Sequence, residues 1–139
     1  MKQIIHISLI LLTLIALNLK AQEVGQELNR EIFNAIESGV DAGDIDRFAG
    51  YFAKQVYVSI RGGESSYFSS SQAYYIIKNF LTARKPLGFS FTTYGFADEI
   101  PFATGRALFR IKGNRESVQV YAALSKSNGK WVIDKINFY

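Results

Sequence analysis

Apolar and polar residues change rhythm several times along this chain, and each rhythm points to an element. From Ile4 to Leu17 almost every residue is apolar, with Lys2 before the run and Lys20 after it. From Val24 the spacing turns helical. Val24, Leu28, Ile32, Ala35 and Ile36 share one face over Val24–Ser38, and Gly39 follows as a stop. Ile45, Phe48, Ala49 and Phe52 recur at i, i+3, i+4 and i+7, which predicts a second, short helix capped by Asp41 or Asp44. The pattern then becomes that of a strand. Val56-Tyr57-Val58-Ser59-Ile60 is β-branched and aromatic, Gly62-Gly63 predicts a tight turn, and Ser66-Tyr67-Phe68 predicts the return strand.

Ser69 and Gln72 have the spacing of a capping box and open a third helix with the apolar stripe Ala73, Ile76, Ile77, Phe80 and Leu81. Lys85-Pro86 closes it, because the residue before a proline is driven out of the helical region. Four extended segments follow, near Gly88–Phe96, Phe102–Lys112, Glu116–Lys126 and Lys130–Tyr139. Gly113-Asn114 and Asn128-Gly129 sit between the later ones as turns. The predicted layout is α+β: three helices in the N-terminal half, packed on one face of a curved, mostly antiparallel sheet of about six strands.

The opening run changes the picture of where the chain works. A basic start, a short apolar stretch and a small residue at Ala21 make the pattern of a secretory signal over residues 1–21. The run falls short of the roughly 20 residues that span a bilayer. Residues 22–139 are then one domain, exported to the periplasm or beyond, with no membrane span after cleavage. The sequence holds no cysteine, so no lipid anchor follows the signal, and disulfides, thiol chemistry and cysteine zinc sites are ruled out. Charge is uneven. Acidic residues outnumber basic ones seven to three from Gln22 to Ile60, and basic outnumber acidic eleven to five from Arg61 on. The balance is modest and no base-reading motif accompanies it, so a nucleic-acid partner is not expected.

The order of elements resembles the nuclear transport factor two-like superfamily, which also holds ketosteroid isomerase-like and SnoaL-like proteins. The residues that carry the resemblance are Gly43-Asp44-Ile45-Asp46 ahead of Phe48, Phe52, Val56 and Val58, the helix Gln72–Leu81, and the closing strand Gly129–Ile136. Within that superfamily the chain looks most like an exported, cysteine-free domain-of-unknown-function family of Gram-negative bacteria. The resemblance implies a cystatin-like cone with a pocket inside it and, in many members, dimers formed through the outer face of the sheet. It implies no single activity.

The only histidine is His6, inside the predicted signal. The remaining domain has no imidazole, hence no Ser-His-Asp triad and no histidine metal site. No catalytic residue, metal ligand or cofactor is assigned. A ketosteroid isomerase-like route would pair Asp98 or Asp134 with Tyr57, Tyr94 or Tyr121. Asp98-Glu99 reads more simply as a turn, and Asp134, between Lys130 and Lys135, as a surface charge. The pocket candidates are Tyr57, Tyr94, Arg106 and Tyr121, with Arg106 suited to an anion if its face lines the cone. By simple alternation Phe89, Phe91 and Thr93 share one strand face and Ser90, Thr92, Tyr94 and Phe96 the other. Trp131 and Ile133 likewise oppose Val132, Ile136 and Phe138. Apolar groups on both faces predict that both are covered, one by helices and one by a second subunit. The reading from sequence is an exported, non-catalytic domain that binds a small molecule or an envelope protein, with a histidine-free isomerase as the alternative.

Overall fold

A computed structural model describes the backbone of residues 2–139, and the side chains from residue 9 on except Val24. Helix α1 (Lys2–Ala42) leads through two single 3-10 turns, Ile45–Arg47 and Ala49–Tyr51, into strands β1 (Phe52–Ile60) and β2 (Ser65–Ser69). Helix α2 (Ser70–Thr82) follows, then β3 (Lys85–Gly88), β4 (Phe91–Ala97), β5 (Ile100–Ile111), β6 (Asn114–Ser127) and β7 (Lys130–Phe138). All seven strands join one sheet in the order β2-β1-β7-β6-β5-β3, with β4 pairing β5 beyond β3. Every pairing is antiparallel except β1 with β7. This is the expected α+β cone, with two α-helices rather than three and seven strands rather than six.

Each departure has a local cause. The stretch around Ile45 and Phe48 keeps its inward spacing, and both side chains are buried, yet it forms two three-residue turns. Asp44 caps the first by accepting the Asp46 N–H at 3.1 Å. Gly39 does not stop α1. The helix runs on to Ala42, and the break comes at Gly43, whose φ of +68° supplies the left-handed turn. Gly39 is small for packing instead: a Cβ there would collide with the Phe48 ring, 2.6 Å from its Cε1 and nearer still to its Cδ1. Nor does α1 begin at Val24, because it is continuous from Lys2. The predicted strand Gly88–Phe96 is two strands. Both β3 and β4 pair with β5, and the link between them crosses Gly105, where a Cβ would meet Phe91 Cα at 2.9 Å.

The capping box at α2 forms as read, with Ser69 and Gln72 satisfying each other's backbone N–H groups. Ala73, Ile77, Phe80 and Leu81 are buried in one core cluster with Val56, Val58, Val120, Ile136 and Phe138 of the sheet. Phe80 lies 4.7 Å from Phe138 between ring centres. The far end of α2 is held by Arg84, which stands 3.8 Å over the Phe80 ring and donates to Glu116 at 2.6 Å.

Two bulges decide which side chains share a face. In β4 the register steps from Phe91–Gly105 to Thr93–Thr104, which leaves Thr92 as an extra residue. Tyr94 therefore returns to the face of Phe91, correcting the alternation read from sequence. In β7 the register steps from Ile133–Leu124 to Lys135–Ala123, so Ile133 and Ile136 are both buried.

Candidate functional site

Two carboxylates and an aromatic cluster tie α1 to the sheet, and two more carboxylates tie the 3-10 turns to the helices. Along α1, Glu37 accepts the Phe91 N–H at 2.7 Å and Asp41 accepts the Phe89 N–H at 2.8 Å. These bonds pin the start of β4 to the helix. Glu31 takes the Tyr51 hydroxyl at 3.1 Å, and Asp46 takes that of Tyr74 at 2.8 Å. Phe33 of α1 meets Phe91 at 5.8 Å and Tyr94 at 5.9 Å, both edge-on.

Above that cluster the helix and the β4–β5 hairpin part, leaving a cleft of about 750 Å³. The helix side supplies Glu23, Gln26, Glu27, Asn29, Arg30 and Phe33, and the sheet side Tyr94, Gly95, Phe96, Pro101 and Phe102. Phe96 and Tyr94 are 64% and 53% exposed, which is high for large rings facing a concave surface. Asn29 is 8% exposed, and its Oδ1 has no hydrogen-bond partner. Burial pushes the Tyr94 hydroxyl above the ordinary tyrosine range. The Glu37 carboxylate adds to this and Arg30 opposes it, so the group is a neutral hydroxyl at neutral pH.

Of the four pocket residues read from sequence, only Tyr94 borders this cleft. Tyr57, Tyr121 and Arg106 lie on the opposite face of the sheet. Tyr57 pairs with Tyr67, 5.2 Å away, and carries the Lys135 ammonium over its ring. Tyr121 stacks on Phe102 at 5.8 Å. Arg106 is exposed and donates to Ser117 Oγ at 3.0 Å. Asp98 sits in the exposed β4–β5 turn and Asp134 in the β7 bulge; neither borders the cleft. Sequence reading missed Asn29, Phe33 and Phe96. Asn29 did leave a trace, since it is the polar residue in phase with the buried Phe33, Ile36 and Val40. Among the described residues no cluster of acidic side chains could hold a metal ion.

Residues 33–139, from Phe33 of the cleft to the last strand, match the family described as Domain of unknown function (DUF4783). The chain belongs to the DUF4783 family. A DUF4783 protein from Bacteroides uniformis shares its fold at a TM-score of 0.67 and 19% identity, over 76% of this chain and 93% of that one. One from Bacteroides ovatus gives 0.64 and 20%, over 75% and 90%. An uncharacterized cystatin-fold protein from Novosphingobium aromaticivorans gives 0.58 and 12%, over 80% and 97%. At such identities the likeness is one of fold. No curated protein matches the chain. The DUF4783 domain thus has the nuclear transport factor two-like, cystatin-like cone anticipated from its sequence, and Glu23, Gln26, Glu27, Asn29 and Arg30 of the cleft stand just ahead of the matched segment.

Proposed function

We propose that this chain is an exported, non-catalytic binding domain that takes a small ligand into the cleft between α1 and the β4–β5 hairpin. One observation carries the reading: the buried, unpartnered Oδ1 of Asn29 lies in a cleft whose other wall is exposed aromatic surface. An unmet buried acceptor costs about 1–3 kcal/mol. A donor brought by a ligand removes that cost while covering Tyr94 and Phe96. The cleft volume falls within the range of small-molecule sites, about 300–1,000 Å³. The non-catalytic part rests on the residue inventory, which after residue 21 holds neither histidine nor cysteine. The export part rests on the opening of α1. Leu9, Ile10, Leu11, Leu12, Leu14, Ile15, Leu17 and Leu19 are 52–68% exposed, so their removal takes nothing from the core. No helix is long and apolar enough to cross a membrane among the described residues.

A second reading concerns the outer sheet face as the contact between two copies of the chain. Tyr67, 60% exposed, stands there with Tyr57 and Tyr121, and buried Asn137 has an Oδ1 without a partner. Native mass spectrometry of protein taken gently from a periplasmic fraction tests both. An N-terminus near Gln22 and a small added mass that Phe96→Ala abolishes are expected, and twice the chain mass if the outer face pairs. An intact Met1 would refute export. A bare protein mass, together with no thermal stabilisation by a small-molecule extract of the same cells, would refute ligand binding.

A further inference from the structure

Building on the cleft as a ligand site, we infer that its ligand is an organic cation with a flat apolar body, the charged nitrogen held at the Glu27 rim and the body against Tyr94 and Phe96. Charge comes first. The helix side of the cleft carries Glu23 and Glu27 against the single cation Arg30, and the sheet side contributes no charged residue. Among the described residues neither glutamate joins an ion pair or a side-chain hydrogen bond. The hairpin tip beside Phe96 and Pro101 is Asp98-Glu99, which adds two exposed negative charges at the same end of the molecule. Glu37 lies behind the β4 wall as a further carboxylate, close enough to raise the Tyr94 hydroxyl. An anion entering here meets repulsion on three sides, whereas a cation is drawn in.

The uncharged groups agree with the charges. Aromatic faces carry negative potential and attract ammonium groups within about 6 Å. Tyr94 and Phe96 line the cleft with exposed rings, and the Phe33 ring packs against Tyr94 at a steep angle. The orphan atom of Asn29 is an acceptor, so it calls for a donor, and a protonated amine or amidine brings several. A neutral apolar ligand would leave that oxygen and the Glu27 carboxylate unmatched. A carboxylate or phosphate ligand would oppose both.

Fluorescence titration of the protein with two aromatic dyes of opposite charge tests this: aminoacridine, a cation, and naphthalene sulfonate, a flat anion. The cation should bind tighter by at least about tenfold, equivalent to roughly 1.4 kcal/mol. Glu27→Lys, at an exposed position, should weaken the cation about tenfold and strengthen the anion, while Phe96→Ala should weaken both. Preference for the anion, or a cation-to-anion ratio that Glu27→Lys leaves unchanged, overturns the ligand class. The cleft itself still stands in that case, provided Phe96→Ala weakens the dyes. If neither dye binds, or Phe96→Ala leaves both untouched, the cleft reading fails and the ligand class falls with it.

Discussion

Under α2 the inner face of the sheet is closed, and beside residues 23–33 of α1 it is open. Both regions are built from phenylalanine and tyrosine at similar spacings. Phe80, Phe109 and Phe138 bury 95% or more of their surface within one cluster, sealed at its edge by the Arg84–Glu116 pair. Phe33, Phe91, Tyr94 and Phe96 begin the same way, but exposure rises from 3% at Phe33 to 64% at Phe96 as the helix and hairpin part. The lesson is that aromatic content does not distinguish core from site. What distinguishes them is whether the covering element follows the curve of the sheet to its end.

Truncating one ring in each region makes the contrast measurable. Phe138→Ala removes a fully buried ring from the closed end and should cost about 3–5 kcal/mol, read as a large drop in the urea midpoint. Phe96→Ala at the open end should cost no more than about 0.5 kcal/mol. Equal losses would mean that the open end is part of the core after all.

How much of this was legible follows from the reach of each signal. The α2 capping box and the strand–turn rhythm after Ile111 are short-range patterns, and the protein forms both, with the first turn at Lys112-Gly113 rather than at the predicted Gly113-Asn114. The bulge at Thr92 is not a short-range pattern. It adds one residue, reverses the alternation beyond it, and is specified by the crossing at Gly105, which is remote in sequence. Sequence composition makes Tyr94 a pocket residue, but simple alternation puts it on the face opposite Phe91. The helix predicted near Ile45 had the right inward residues, but Gly43 at φ +68° breaks the chain just before it and leaves room for single turns only. The cleft itself joins residues 23–33 to residues 94–102. No periodicity within either segment encodes that meeting.

The open end should also depend on α1 more locally than the closed end does. The Phe91 N–H, on a residue only 6% exposed, gives its bond to the Glu37 carboxylate. Glu37→Ala leaves that donor buried and unmet, which should cost about 1.5–3 kcal/mol. Hydrogen exchange would place the loss: faster exchange at Phe91 and along β4, with the amides of β6 following only the global change. Uniform acceleration across the sheet would show that Glu37 supports the whole fold rather than the wall of the cleft.

The smallest effect concerns the hairpin tips. Lys112-Gly113 and Asn128-Gly129 turn at φ +49°, +80° and +51°, +75°, with glycine in the second left-handed position. Asp98-Glu99, at the tip of the hairpin that walls the cleft, makes the same kind of turn at +50° and +64° without a glycine. A Cβ in that conformation costs about 1–2 kcal/mol. The greater freedom of glycine in the unfolded chain returns up to about 1 kcal/mol of this. Glu99→Gly should therefore stabilise the protein by about 0.5–1 kcal/mol, and Gly113→Glu, in the turn at the opposite, closed end of the sheet, should destabilise it by a similar amount. Chemical denaturation of the two variants side by side decides the matter. If both changes destabilise, Glu99 makes a stabilising contribution at the hairpin tip that outweighs its backbone strain.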